Sequence, residues 1–123
     1  MIGLDELPVL PKNEASFKSI LEAIEKYNYG FALITGENGR LDGLVTNADV
    51  RRALIKHIND LNSIPAESLI NPKPAIIESN QTINEMLQKI KELPFTVLFM
   101  PVVDKQHNLA GAITFNHLIK AEL

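Results

Sequence analysis

Apolar side chains recur with the period of an α-helix in two separate segments of the chain. The i, i+3, i+4, i+7 spacing is typical of a helix that buries one face against a core. The apolar positions are Phe17, Ile20, Leu21 and Ile24 in one segment and Ile83, Met86, Leu87, Ile90 and Leu93 in the other. Ser16 and Thr82 stand where helix N-caps are expected, and Thr82-x-x-Glu85 has the spacing of a capping box. The pattern therefore predicts two amphipathic helices.

Apolar runs follow each predicted helix and indicate buried strands. Such runs occupy residues 30–35 and 96–103, and each leads through a polar turn, 36–40 or 104–108, into a second strand. The second strands, 41–46 and 109–114, both read Leu-x-Gly-apolar-apolar-Thr. Short extended segments precede the helices at 7–10 and 74–78, and closing helices are predicted at 47–58 and 116–122. The order strand, helix, strand, strand, helix thus occurs twice.

The two halves are an internal duplication. Positions 17, 21 and 24 match positions 83, 87 and 90 at a separation of 66, whereas positions 41, 43 and 46 match 109, 111 and 114 at a separation of 68. The change of two indicates a small insertion between the helix and the second strand. We expect an α/β (α+β) fold of two β-α-β-β-α repeats, packed sheet to sheet with pseudo-two-fold symmetry. The predicted repeats span residues 4–58 and 74–123, joined by a polar, proline-punctuated connector at 59–73.

Composition narrows the class of protein. With 123 residues, 46% of them hydrophobic and 22% charged, the chain is an ordinary globular domain. The net charge of −3 argues against nucleic-acid binding, and no apolar run approaches the roughly 20 residues of a membrane helix. The chain has no cysteine, and its three histidines lack metal-ligand spacing, so we expect no metal site. No catalytic motif occurs, and the expected class is a cytoplasmic, non-enzymatic domain.

The strongest candidate for ligand chemistry is the segment from Gly43 to Arg52, which reads GLVTNADVRR. Thr46 ends a predicted strand, and Asp49 follows three residues later in the first turn of a helix. A carboxylate can accept hydrogen bonds from both hydroxyls of a ribose, and a helix N-terminus with a threonine hydroxyl suits a phosphate. The same Thr-x-x-Asp spacing is also that of a capping box that binds no ligand. Both interpretations are open, and they are compatible.

Other polar residues of this helix and of its repeat refine the picture. Arg51 and Arg52 diverge by about 100° around the axis, so only one of them can face a ligand site. His57 ends the helix, and we expect it on the surface. In the second repeat Thr114 matches Thr46, but His117 takes the place of the carboxylate. Because a histidine cannot accept hydrogen bonds from a ribose diol as a carboxylate does, we expect at most one competent site.

The duplicated Gly-apolar-apolar-Thr-x-x-Asp pattern resembles the CBS domain, named after cystathionine β-synthase, present as the tandem pair called a Bateman module. The resemblance covers about residues 4–123 and includes an Asn-Pro-x-Pro stretch at 71–74. A finer resemblance is to the C-terminal CBS pair of D-arabinose-5-phosphate isomerases. It rests on four stretches of the chain, which read DELPVL, GLVTNADVRRAL, NPKPAII and FNHLIKAEL. That family usually reads Thr-Asp-Gly-Asp-Leu-Arg-Arg at the positions of 46–52 and His-Asp-Leu-Leu-Arg-Ala at those of 116–121, so this chain departs from it at both suspected sites.

The resemblance implies a non-catalytic regulatory module that binds a nucleotide or nucleotide-sugar between the repeats and transmits this to an attached or partner sugar-phosphate isomerase. It implies a homodimer and, as effector, an adenine nucleotide or a CMP-linked sugar. The implied ligand-binding residues are Thr46, Asp49, Asn71, Pro74, Ala75, Ile76, Phe95 and Thr96, and those of a weaker second site are Thr114, His117, Pro8 and Val9. In the first site, Asp49 would bind the ribose, and Thr46 would bind the phosphate or the ribose. Main-chain groups near 74–76 would bind the base. Alternatives are a dimerisation module without a ligand, and the CBS pair of a sugar-nucleotidyltransferase.

Overall fold

A computed structural model describes residues 1–93 and 99–114 of the chain. The first half contains β1 (Val9–Pro11), α1 (Phe17–Tyr27), β2 (Phe31–Thr35), β3 (Leu41–Thr46) and α2 (Asn47–Lys56). The second half contains β4 (Ile77–Glu78), α3 (Ile83–Glu92), β5 (Phe99–Val103) and β6 (Leu109–Thr114). The closing helix predicted at 116–122 lies outside the described residues.

The strands form two three-stranded sheets with the same topology. The order is β1-β2-β3 in the first sheet and β4-β5-β6 in the second. In each sheet the leading strand pairs parallel with the middle one, and the middle strand pairs antiparallel with the last. The pairing register shifts between Ile34 and Thr35 and again between Val102 and Val103, so even this irregularity is repeated. These two matching sheets confirm the predicted α+β class and the duplication.

Each described α-helix begins at a capping box, in which the N-cap side chain and the third helical residue bond to each other's backbone N–H. The N-caps are Ser16 for α1, Thr46 for α2 and Thr82 for α3. A cap of this kind satisfies N–H groups that have no partner within the helix. The starts of α1 and α3 therefore lie where the sequence predicted them.

The sheets pack face to face around a core that both halves share. This core contains Ile2, Leu7, Phe31, Leu33, Leu41, Leu44, Val103, Leu109 and Ala112, with Val9, Ile76 and Phe99 packed against it. At its centre the rings of Phe31 and Phe99, which are equivalent residues of the two repeats, stack with centroids 3.9 Å apart. The outer face of each sheet packs on its own helices in a separate cluster. The sheet-to-sheet packing and pseudo-two-fold symmetry are thereby confirmed.

Chain segments also cross between the halves and pair with the last strand of each sheet. The Leu44 N–H donates to the Asn71 carbonyl oxygen at 3.0 Å, and the Asn71 N–H donates to the Leu44 oxygen at 2.8 Å. Ile2 and Ala112 exchange the equivalent pair of bonds, at 2.8 and 3.1 Å. Gly43 and Gly111 stand beside these crossings, where a Cβ would meet the incoming chain. The glycine of each Leu-x-Gly motif therefore makes room for the crossing segment.

The structure differs from the predicted elements at the leading strands. β1 begins at Val9 and β4 comprises only Ile77–Glu78, whereas extended segments were predicted at 7–10 and 74–78. The bonded parts are shorter because only these residues lie in register with β2 and β5. The connector contains two short 3₁₀ turns, Leu61–Ser63 and Ala66–Ser68. The equivalent residues Phe31 and Phe99 differ in number by 68, whereas Ile24 and Ile90 differ by 66, so the predicted insertion of two residues lies between Ile90 and Phe99.

Replacing His107 with glycine is expected to raise the free energy of unfolding by about 0.5–1 kcal/mol. His107 has a left-handed φ of 67°, and its equivalent in the first half is Gly39, with a φ of 79°. A side chain in this region is strained, and the relief on removing it exceeds the entropy that a glycine loses on folding. The backbone bonds of His107 to Leu41 and Asp104 do not involve the side chain.

Urea unfolding measures this effect. Gln106, in the same turn, does not have a positive φ, so Gln106→Gly should lower stability by about 0.5–1 kcal/mol. A loss of stability in His107→Gly as well would show that the left-handed conformation carries no strain at this turn.

Candidate functional site

The end of β3 and the start of α2 hold Thr46 and Asp49 in mutual contact. Asp49 Oδ2 accepts hydrogen bonds from the Thr46 N–H and the Thr46 hydroxyl, both at 2.9 Å. The Asp49 N–H donates back to Thr46 Oγ1 at 3.3 Å. The capping-box interpretation of this motif is therefore confirmed. The cap holds the carboxylate through Oδ2, and Oδ1 makes no bond to Thr46.

Arg52 occupies that second carboxylate oxygen. Its Nη2 donates to Asp49 Oδ1, in an ion pair across one helical turn. The Arg52 side chain is 66% exposed, whereas Asp49 is 18% exposed. Exposed ion pairs of this kind contribute about 0–1 kcal/mol, so the guanidinium can leave at low cost. Arg51 is exposed and lines no cavity with Asp49, in agreement with the divergence of adjacent arginines.

The same capping geometry recurs at α3. The Thr82 N–H donates to Glu85 Oε1 at 3.0 Å, and the Glu85 N–H donates to Thr82 Oγ1 at 3.1 Å. The hydrogen bond from the Thr82 backbone, aided by the Thr82 side chain, lowers the pKa of the Glu85 carboxyl. Since Glu85 is exposed, the capping box formed by Thr82 and Glu85 lies on the surface of the protein. It provides an internal comparison for separating capping from ligand binding at Asp49.

The other residues implied for the first site are distributed between the surface and the core. Asn71 is exposed and pairs with Leu44, two residues before Thr46. Pro74 is half-buried. Ala75 packs against the core of the second half, and Ile76 packs against the shared core. Phe95 and Thr96 lie outside the described residues.

The described residues of the implied second site are buried or half-buried. Pro8 is buried and its carbonyl oxygen accepts the Leu33 N–H at 2.8 Å, while Val9 packs against the shared core. Thr114 is the last residue of β6 and is half-buried. His117, which replaces the carboxylate in the sequence, lies outside the described residues. The pseudo-symmetry thus places Val9 and Ile76 as equivalents against one core.

A small cavity adjoins Asp49 that sequence reasoning did not predict. Its volume is about 120 Å³, and it is lined by Asp49, Arg52, Ala53, Lys56, His57 and Ser68. His57, which was expected on the surface, is half-buried here. A sequence signal existed in the i, i+4 spacing of Arg52 and Lys56, which places two cations on one helix face. Ser68 comes from the connector, and nothing in the sequence pointed to it.

The family model of the CBS domain matches residues 5–56 and, a second time, residues 66–123. The chain belongs to the CBS domain family. It is a tandem CBS pair, and such pairs are typically non-catalytic regulatory domains. Among the helices that the structure describes, none has the length and apolar character needed to cross a bilayer.

Relatives of this CBS pair include sugar-phosphate isomerases. The arabinose 5-phosphate isomerase KdsD of Francisella tularensis is 32% identical over 120 residues, which cover 97% of this chain and 35% of the isomerase. The arabinose 5-phosphate isomerase KpsF of Escherichia coli is 25% identical over 81% of this chain and 30% of its own length. The chain thus spans about a third of the length of these relatives.

Solved CBS pairs have the same fold. The crystal structure of CBSX2 in complex with AMP superposes with a TM-score of 0.78 at 21% identity, over 99% of this chain and 91% of that one. CBSX2 comes from Arabidopsis thaliana. The CbpB protein of Listeria monocytogenes in complex with c-di-AMP gives a TM-score of 0.77 at 18% identity, over 99% of this chain and 90% of CbpB.

Proposed function

We propose that this CBS pair is a regulatory module that binds an adenine nucleotide, with Asp49 as the acceptor for the ribose hydroxyls. The observation that carries the proposal is the fixed Asp49 carboxylate, whose Oδ1 is held only by the exposed Arg52 side chain. Arg52 can be exchanged for a ribose hydroxyl without disturbing the Thr46 contacts at Oδ2. Thr46 then acts by holding the carboxylate in place, and the Asn71 segment borders the site.

The kind of ligand is supported by the solved relatives. CBSX2 is in complex with AMP, and CbpB is in complex with c-di-AMP. Both ligands contain an adenosine unit. A CMP-linked sugar also carries a ribose diol and is the second candidate effector. We propose a single competent site, because the Thr46 motif has a carboxylate and its repeat in the second half has a histidine.

Asp49→Ala is expected to abolish the stabilisation of this protein by its nucleotide. For the unaltered protein, a ligand at 100 times its Kd raises stability by about 2.7 kcal/mol, or a Tm increase of about 10 °C for a domain of this size. Thermal melts with AMP, ATP, adenosine and a CMP-linked sugar measure the shift. The variant should show none with the ligand that stabilises the wild type.

Glu85→Ala is the matched control, since it removes the carboxylate of the exposed capping box on α3. Loss of a cap alone lowers stability by about 0.5–2 kcal/mol. Both variants should therefore melt earlier without ligand, but only Glu85→Ala should retain the nucleotide-dependent increase. An equal increase in Asp49→Ala and wild type would contradict the role of Asp49. No increase with any nucleotide in the wild type would favour a dimerisation module without a ligand.

We further propose that nucleotide binding is transmitted to a sugar-phosphate isomerase joined to the pair or associated with it as a homodimer. The support is the similarity to KdsD and KpsF, of which this chain covers about a third. Isomerisation of arabinose 5-phosphate by the joined or associated isomerase, with and without the nucleotide, tests this. The rate should change with nucleotide in the wild type and stay constant in Asp49→Ala.

A further inference from the structure

The cavity beside Asp49 is lined mainly by groups that attract anions. Arg52 and Lys56 contribute two permanent positive charges, and His57 contributes imidazole nitrogens. Asp49 is the one carboxylate in the lining, and its oxygens already accept bonds from Thr46 and Arg52. The Ser68 hydroxyl donates to the Pro65 carbonyl oxygen at 2.7 Å, so Ser68 shapes the wall without a free proton. The cavity therefore has a surplus of positive charge.

Lys56 and His57 have no acidic partner that would account for their position. Within residues 1–93 and 99–114, the ion pair between Arg52 and Asp49 is the only one, and neither the Lys56 nor the His57 side chain forms a hydrogen bond. Like charges four residues apart on a helix repel each other. The helix dipole favours Lys56 in the last turn of α2. It does not account for Arg52, which lies outside that turn, or for the convergence of all three groups on one cavity.

The size of the cavity matches a phosphate group. About 120 Å³ is several times the space that one water molecule needs. That is enough for the five heavy atoms of a phosphate, but it is far below the ~300–1,000 Å³ of pockets that enclose a whole ligand. A ligand that uses this cavity must therefore place its larger part elsewhere.

Most N–H groups at the start of α2, where a phosphate would usually bind, already form internal bonds. At the start of α2 the N–H groups of Thr46 and Asp49 bond within the capping box, and the Asn47 N–H donates to the Gly30 carbonyl oxygen at 3.1 Å. Arg52, by contrast, uses one of its five N–H donors on Asp49. The Arg52 guanidinium thus keeps four free donors beside the cavity.

We infer that the cavity formed by Arg52, Lys56 and His57 is a phosphate subsite, which takes the phosphate of the nucleotide whose ribose binds Asp49. Asp49 lines the cavity and is also the proposed ribose acceptor, so the two subsites adjoin. The inference in this form rests on the proposed function. When the ribose displaces Arg52 from Oδ1, the guanidinium remains within reach of the phosphate. The subsite makes the module select nucleotides over nucleosides.

Titration calorimetry with AMP and adenosine tests the inference on the wild type, Lys56→Gln and His57→Gln. Each substitution should weaken AMP about tenfold, as expected for the loss of one charge-assisted hydrogen bond, and leave adenosine unchanged. Arg51→Gln is the matched control, because Arg51 lies on the same helix, is exposed and does not line the cavity. It removes the same charge and should leave both affinities unaltered.

Inorganic phosphate alone separates this inference from the proposed function. Backbone amide NMR shifts of Lys56, His57 and Ser68 should respond to phosphate in the wild type and Arg51→Gln but not in Lys56→Gln. If phosphate gives this response while AMP and adenosine do not bind, the subsite stands as a site for a free phosphate and the proposed function fails. If AMP binds the wild type and Lys56→Gln equally, or if Arg51→Gln weakens AMP as much as Lys56→Gln does, the subsite is overturned and the proposed function stands.

Discussion

Replacing Phe31 with alanine is expected to lower the free energy of unfolding by about 3–5 kcal/mol. Phe31 is 1% exposed and lies in the core that both sheets share. Its ring stacks on Phe99 with centroids 3.9 Å apart and on Tyr29 at 5.8 Å. Alanine would leave a cavity at the point where the two repeats meet, and neither sheet can move inward without separating from its own helices. Since domains are stable by only about 5–15 kcal/mol, this loss is a large part of the total.

Urea unfolding followed by circular dichroism measures this loss. Tyr29→Ala is the matched control, because Tyr29 also stacks on the Phe31 ring but is 39% exposed. Its removal should cost about 1 kcal/mol or less, consistent with a partly solvated aromatic pair. A cost in Phe31→Ala no greater than in Tyr29→Ala would show that the sheets do not depend on the Phe31–Phe99 contact.

The duplication made most of the fold predictable. Two sequence features were sufficient to place α1, α3, β3 and β6 near their observed positions. They are the helical spacing in 17–24 and 83–93 and the paired Leu-x-Gly motifs. These features are local, because amphipathic spacing and capping depend on neighbours within one or two turns. The leading strands were less accurate, since β4 is defined by its pairing with β5 rather than by its own apolar run.

The candidate site was predictable only in its local part. Thr46 and Asp49 are three residues apart, and their contact follows from that spacing. The cavity beside them requires Ser68 to return next to α2, which depends on the path of the connector. That path is fixed by the pairing of Asn71 with Leu44, a contact between residues far apart in the sequence. Hydrophobic periodicity contains no information about such a crossing.

Gly43→Val is expected to lower the free energy of unfolding by about 3 kcal/mol and to weaken nucleotide binding as well. A Cβ at Gly43 would overlap a methyl group of Ile70 and lie 3.1 Å from the Asn71 carbonyl oxygen. The connector would be forced off β3, and both hydrogen bonds between Leu44 and Asn71 would be lost. Overpacking costs about 1–3 kcal/mol, and each lost hydrogen bond adds about 0.5–1.5 kcal/mol, partly offset by relaxation.

The binding defect follows from the position of the connector. Ser68 lines the cavity beside Asp49 and lies three residues before Asn71, so a displaced connector opens one wall of the proposed phosphate subsite. Gly3→Val is the control, because a Cβ at Gly3 meets no atom within 4 Å and its φ of −75° suits any residue. Denaturant unfolding and AMP titration of both variants measure the two effects.

A Gly43→Val protein as stable as Gly3→Val would mean that the connector does not need its close approach to β3. A destabilised Gly43→Val protein with unchanged AMP affinity would instead show that the pairing of the connector with β3 does not contribute to ligand binding.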